Sequence, residues 1–405
     1  MTELTEQTAP AQGSALEVGA AFARLGLTSF GGPTAHLGYF RTEFVERRGW
    51  LDDRSFADLV ALCQFLPGPA SSQVGIGLGV LRAGLAGGLM AWLGFTLPSA
   101  LALIVAAYGV SALGAVADLD LLRGLLIVAV AVVANALWGM ARNLAPDGVR
   151  ATIAILSAMI MLALPFGPTQ IAIIVAAAVY GWYALRTTAP PAGNFRVPFG
   201  RNFAIGCWIV FFGLLIGLPL LRQIFPGQAL ALFDSFYRAG ALVFGGGHVV
   251  LPLLQAEVVP TGWLSESAFI AGYGLAQAVP GPLFTFAAYL GAVQSPEPNG
   301  VVGGLIALAA IFLPAWLLVL GALPFWAELR ARTDAQGALR GVNAAVVGIL
   351  LAALYNPVWT SAIDAPIDLA LALGCFGLLH FWKVAPWLVV LIGGIAGGAL
   401  SWFGL

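Results

Sequence analysis

Of the 405 residues, 60% are hydrophobic and 9% charged, and the formal net charge is −1; a water-soluble domain has about a quarter of its residues charged. So little charge cannot cover a water-exposed surface, and the absence of any basic stretch interleaved with aromatics points away from nucleic acid as a partner. Cys63, Cys207 and Cys375 lack CxxC or His-paired spacing and read as small buried side chains, with no cofactor or metal centre expected.

Residues 1–14 form a polar, acidic tail without the basic and apolar regions of a cleavable signal, so the membrane segments themselves are expected to direct insertion. A first repeat is read over residues 15–186. Its early part is interrupted at FGGP (Phe30–Pro33) and LPGP (Leu66–Pro69), and the apolar runs Gly84–Leu113, Leu125–Leu137 and Thr152–Leu164 are read as spans. Residues 187–202 form a basic Pro/Gly-rich linker, residues 203–222 an extra transmembrane helix, and residues 229–405 a second repeat ending in the apolar run Trp387–Leu405. The second repeat is broken at FGGG (Phe244–Gly247) and VPGP (Val279–Pro282). Proline removes a donor and glycine relaxes φ, so each cluster should stop one helix and start another.

The two repeats align from Arg24 to Gly124 of the first and Arg238 to Gly341 of the second. Phe30-Gly31-Gly32 matches Phe244-Gly245-Gly246, with Arg24 and Arg238 six residues upstream. Glu43 matches Glu257, Gly49-Trp50-Leu51 matches Gly262-Trp263-Leu264, Gln64 matches Gln277, and Pro67-Gly68-Pro69 matches Pro280-Gly281-Pro282. Gly87-Gly88-Leu89 with Pro98 matches Gly303-Gly304-Leu305 with Pro314, and Arg123-Gly124 matches Arg340-Gly341. The offset stays between 213 (Pro67 to Pro280) and 217 (Arg123 to Arg340), which chance similarity of apolar sequence does not produce.

Arginine placement sets the relative orientation, because cytoplasmic loops are rich in Lys and Arg. The loop Arg41–Arg54 holds Arg41, Arg47, Arg48 and Arg54, whereas its counterpart VVPTGWLSESAF has no basic residue. The loop should therefore face opposite sides in the two repeats, with Arg222 as the one basic residue on the wrong face. The fold class expected is an all-α polytopic membrane protein of two inverted repeats with broken, re-entrant helices and a site at their interface.

Non-helical backbone at membrane depth survives where protein or a water-filled cavity satisfies it, so the four breaks should line a pathway. Half-helix N-termini present free N–H groups to an anion. The substrate-binding candidates are accordingly Gly31, Gly32 and Thr34; Gly68, Ser71, Ser72 and Gln73; Gly245, Gly246 and His248; Gly281 and Thr285; and the matched Gln64 and Gln277. Any single break reads equally as a packing kink, and Ser71 and Ser72 as small helix-contact residues. Arg24 and Arg238 lie in apolar segments, where an ionisable group is costly and is either functional countercharge or a snorkelling side chain. Glu43, Glu257 and His36 are proton-coupling candidates; the competing readings are ion-pair or loop carboxylates and a structural histidine, and His380 is read as interfacial. A membrane enzyme is disfavoured, since no Gly-rich βα turn, clustered metal ligands or nucleophile–base set is present.

The run FARLGLTSFGGPTAHLGYFRTEFVERRGWLDDRSFADLVALCQFLPGPASSQVGIGLG resembles the signature of the chromate ion transporter family, and AGALVFGGGHVVLPLLQAEVV with GWLSESAFIAGYGLAQAVPGP resembles its second copy. The resemblance spans nearly the whole chain and corresponds to the long, two-domain form. It implies export of chromate from the cytoplasm across a cell inner membrane, driven by the membrane potential or a proton gradient, with competition by sulfate and a homodimer as candidate assembly. A transporter or channel for sulfate or another small inorganic anion is the alternative. The second copy departs from the first, with Pro33 replaced by Gly247 and Ser71-Ser72 by Phe284-Thr285, so a site whose donors come mostly from the first copy is asymmetric.

Overall fold

The computed structural model describes residues 13–30, 32–113, 120–165, 167–186, 197–244, 249–326, 328 and 332–402. Every regular element among the described residues is helical. In the first repeat these are α1 (Ala15–Thr28), α2 (Gly32–Phe40), which runs on into wider π-type turns over Arg41–Arg47, α3 (Asp53–Phe65), α4 (Ala70–Leu113), α5 (Asp120–Leu144), α6 (Gly148–Ala163) and α7 (Gly167–Ala184). The connecting helix α8 (Arg201–Ile224) leads to α9 (Gln228–Ala241), α10 (Val250–Val258), α11 (Glu266–Ala278), α12 (Phe286–Val293), α13 (Gly300–Ala322), α14 (Thr333–Ala353), α15 (Pro366–His380) and α16 (Pro386–Trp402).

The pieces flanking the breaks are short: α1 and α9 have 14 residues each, and α3 and α11 have 13. At 1.5 Å per residue each is about 20 Å long, short of a hydrocarbon core of about 30 Å. Matched caps start two of them. Asp52 accepts from the Ser55 N–H ahead of α3, and Ser265 accepts from the Ala268 N–H ahead of α11, satisfying amides that the first helical turn leaves free.

The apolar run at Gly84 belongs to a longer element. Helix α4 doubles back at Ala83 and Gly84, whose φ/ψ values (−144, 28 and 67, −162) are non-helical, so residues 70–82 and 85–113 form two antiparallel arms. An added Cβ on Gly79 would overlap the Gly87 carbonyl, and one on Gly87 would overlap Gly79. Gly291 of α12 and Gly303 of α13 repeat the same reciprocal approach. Backbones this close recover van der Waals contact that lipid cannot supply. Pro98 and Pro314 both sit inside continuous helix.

Among the described residues five stretches are long and apolar enough to cross a membrane, namely residues 70–109 (the two arms of α4 together), 123–144, 201–224, 300–325 and 333–359. The runs read as spans at Thr152 and Trp387 fall in shorter helices: α6 has 16 residues and is closed by Leu164 and Pro165 before α7 begins, so α6 and α7 form a hairpin, as do α15 and α16. These hairpins are exchanged between repeats. Helix α5 packs on α15 and α16, and α14 packs on α6 and α7. Gly124 lies against the Gly393 and Gly394 carbonyls, while Gly341 lies against Ala177 and Gly337 against Gly181. The repeats therefore interlock. Helix α8, with Ile209 and Ile216 exposed on its outer face, presents the apolar exterior that a bilayer demands.

Candidate functional site

Two backbone hydrogen bonds, equivalent under the repeat, tie the chain at the breaks in two crossed pairs. The Gly68 N–H donates to the Val243 carbonyl at 2.7 Å, and the Gly281 N–H donates to the Ser29 carbonyl at 2.9 Å. Ser29 precedes the FGGP break and Val243 the FGGG break, so the second break of each repeat is tied to the first break of the other. Gly68 and Gly281 hold φ of 120° and 101°, a region closed to side chains carrying a Cβ, which explains glycine in both PGP triplets. Gly31 and the run Gly245, Gly246 and His248 lie outside the described residues, as does the side chain of Thr34.

The polar side chains gather unequally. His36 is fully buried on α2, its Nδ1 3.3 Å from the Ser71 hydroxyl and its ring edge-on to Phe95. Gln73 donates to the Pro67 carbonyl at 2.7 Å and so closes the LPGP turn from within. The Ser99 hydroxyl donates to the Thr96 carbonyl at 3.1 Å and lies 2.9 Å from where a Cβ on Gly281 would stand. Ser29 Oγ, His36 Nε2, Ser72 Oγ, Gln73 Oε1 and Thr96 Oγ1 are buried without a hydrogen-bond partner among the described residues. Buried polar atoms are nearly always paired, so an orphaned group of this size signals a ligand or water site. In the second repeat the Thr285 hydroxyl donates to the Pro282 carbonyl at 2.8 Å, closing its own turn.

Sequence reasoning missed Ser29, Thr96 and Ser99. The signal was three hydroxyls in otherwise apolar sequence, two of them flanking Leu97-Pro98. Gln64 and Gln277 occupy different settings: Gln64 lines a cavity of about 400 Å³ between α2 and α3 with Arg41 and Asp53 at its rim, whereas Gln277 is half-buried and its Nε2 has no partner among the described residues. A larger cavity of about 530 Å³ between α5, α6, α14 and α15 is lined by apolar side chains and offers an anion nothing.

Charged groups form a cluster in each repeat. Arg238 meets the Glu257 carboxylate with two bonds of 2.8 Å and Asp234 at 3.1 Å. Arg222 adds a bond of 3.3 Å to Asp234 and lies over the Trp263 ring, which accounts for a basic residue on the face where loop charge did not predict one. In the first repeat Glu43 turns instead to Arg48 (2.7 Å) and Arg47 (3.0 Å). Burial works against its ionisation, but the hydrogen bond and charge of Arg48 with the charges of Arg47 and Arg24 hold the Glu43 carboxyl below its ordinary value. Arg24 makes no ion pair among the described residues. The two matched arginines thus differ: one is clamped by two carboxylates and the other feels a carboxylate only at a distance.

A duplicated, all-helical chain with interlocked repeats, broken helices meeting at their interface and orphaned donors beside them has the architecture of a multi-pass membrane transporter. The chromate transporter family model matches residues 16–182 and 230–398. The chain belongs to that family, and its function is transport of an oxyanion, not enzymatic catalysis. It is similar to a chromate transport protein of Pseudomonas aeruginosa, 27% identical over 99% of this chain and 95% of the relative. A chromate transport protein of Cupriavidus metallidurans is 27% identical over 94% of this chain and 90% of its own length, and a probable chromate transport protein of Synechococcus elongatus is 25% identical over 93% of each. No solved structure matches the chain.

Proposed function

We propose that this protein exports chromate from the cytoplasm across a bacterial inner membrane, driven by the membrane potential or a proton gradient. The observation that carries the reading is the reciprocal pair of bonds, Gly68 to Val243 and Gly281 to Ser29, which joins the second break of each repeat to the chain just ahead of the first break of the other. In this reading the starts of α2 and α4 and the turn after Gly281 supply the N–H groups and hydroxyls that a tetrahedral dianion requires, supported by the buried, unpartnered Ser29, Ser72 and Thr96 hydroxyls beside them. The repeats are inverted in this reading, and the export step is a rocking of one repeat against the other that moves the site from one face to the other.

Uptake of labelled chromate and sulfate into inverted vesicles tests it, with and without an imposed pH gradient and membrane potential. Gradient-dependent accumulation of chromate, inhibited by excess sulfate, is the expected result. Accumulation of sulfate alone would assign the chain to sulfate, whose charge and shape the same donors accept. Single-channel currents in place of saturable, gradient-dependent uptake would make it a channel.

A further inference from the structure

We infer that the oxyanion binds on one side only of the pseudo-symmetric interface, in a single site per chain, held by Ser29, His36, Thr96 and Ser99 against the Gly281 turn. The inference rests on the transport reading above and deepens it.

The argument is a comparison of the molecule with itself. The Ser29–Gly281 bond and the Val243–Gly68 bond are equivalents, so the surroundings of Gly281 and of Gly68 form two versions of one location. Around Gly281 stand Ser99, whose hydroxyl lies 2.9 Å from the glycine's Cβ position, and the Phe95 carbonyl at 3.1 Å. Around Gly68 stand the Gln73 amide nitrogen, at 2.9 Å and bonded to the Pro67 carbonyl, and Ala315, the equivalent of Ser99, at 3.7 Å. Ser29, His36, Thr96 and Ser99 each have an apolar equivalent in the other repeat. Ser29 corresponds to Val243, His36 to Val250, and Ser71 to Phe284. The alignment of Pro98 with Pro314 likewise sets Thr96 opposite Phe312 and Ser99 opposite Ala315. Phe284 and Phe312 lie with ring centroids 6.0 Å apart, and Trp92 packs on Phe312 at 5.7 Å, so rings stand where the first repeat has Ser71 and Thr96.

The first location carries the opposite chemistry. Ser29, His36, Thr96 and Ser99 are each at most 1% exposed. Ser29 Oγ, His36 Nε2 and Thr96 Oγ1 have no partner among the described residues. When the Ser71 hydroxyl donates to His36 Nδ1, the neutral imidazole carries its proton on Nε2, a donor that an anion would share with the Ser29 backbone carbonyl. Thr96 and Ser99 stand three residues apart on the second arm of α4 and so share a helix face. None of the four side chains is acidic, so the cluster can surround an anion with O–H and N–H groups, whereas a cation would find only neutral oxygens. The Gly68 turn, by contrast, has Gln73 as its nearest polar neighbour, and that amide is engaged by the Pro67 carbonyl.

The test measures equilibrium binding of labelled chromate, and of sulfate in parallel, to the purified full-length protein in lipid nanodiscs, together with uptake into inverted vesicles. One anion per chain is expected. His36→Val, Thr96→Val and Ser99→Ala, each giving a first-repeat position an apolar character like its partner's, should raise the half-saturating concentration about 10- to 100-fold, the range for losing one hydrogen bond to a charged group. His36→Gln, which keeps a donor near Nε2, should recover most of that loss, a result that a merely structural histidine would not give. Ala315→Ser, on the opposite side, should leave half-saturation within about twofold. Two anions per chain, or half-saturation unchanged in the three apolar variants that still fold and insert, overturns the inference. Wild-type protein that binds sulfate and not chromate overturns the substrate named above, and the same variants then judge the placement on sulfate. Binding of neither anion overturns both.

Discussion

Replacing the two PGP glycines with alanine should damage the protein unequally, and the structure gives the order. Gly68 and Gly281 both hold φ above 100°, so alanine at either position costs about 1–3 kcal/mol in backbone strain alone. What separates them is the neighbour. A Cβ at 68 meets the Gln73 amide nitrogen at 2.9 Å, the end of a side chain that can swing away at the expense of its bond to Pro67, worth about 1 kcal/mol. A Cβ at 281 meets Ser99 Oγ at 2.9 Å and the Phe95 carbonyl at 3.1 Å, and that carbonyl belongs to helical backbone. Relief there must come from the turn itself, which would draw the Gly281 N–H away from Ser29. Gly281→Ala should therefore be the less stable variant by about 1–2 kcal/mol, and should also lose more transport, because the displaced turn forms one wall of the inferred site. Thermal unfolding of the purified variants in one detergent, followed by size-exclusion recovery after heating, gives the order of stability, and vesicle uptake gives the order of activity. Equal melting of both variants with the wild type, or a Gly68→Ala variant that is clearly the worse, would refute the reasoning.

Arg24→Gln and Arg238→Gln should separate a transport defect from a folding defect: both abolish uptake while still inserting, but Arg238→Gln also strands Glu257 and leaves Asp234 only Arg222, costing about 2–3 kcal/mol, less than for a fully enclosed pair because Arg238 is a quarter exposed. Comparing uptake per folded molecule with thermal recovery reads both, and full uptake in both variants would remove the arginines from the mechanism. The Glu43 carboxyl titrates below its ordinary value, so its stabilising contribution is present above about pH 4.3 and lost as pH falls through the depressed value; Glu43→Gln should flatten that acid limb of a melting-versus-pH profile. Single cysteines at the equivalent exposed positions Arg54 and Ser267, introduced into a protein whose three buried cysteines are replaced, should react with an impermeant thiol reagent from opposite sides of the membrane. Labelling of both from one side would mean that the repeats are parallel.

The sequence by itself determined the membrane class, the duplication and the four helix breaks, because each is written in local chemistry. A chain with 9% charge has no soluble solution, Gly-Pro clusters end helices wherever they stand, and a repeat is visible as matched residues. The short half-helices followed from the same reading, but it left an ion pair for Glu257 open beside proton coupling, and only the fold pairs Glu257 with Arg238 while Glu43 turns to Arg47 and Arg48. What the tertiary structure alone decided is which break meets which. The bonds from Gly68 to Val243 and from Gly281 to Ser29 join residues 175 and 252 positions apart, and no local pattern encodes a crossed pairing over the single one within each repeat. The same holds for the exchange of α6 and α7 with α15 and α16, which rests on glycines whose closeness to a distant backbone leaves no mark beyond their being glycine. Ser29, Thr96 and Ser99 passed unnoticed for that reason: a hydroxyl in a membrane helix is ordinary until the fold buries it beside another repeat's turn and leaves it without a partner.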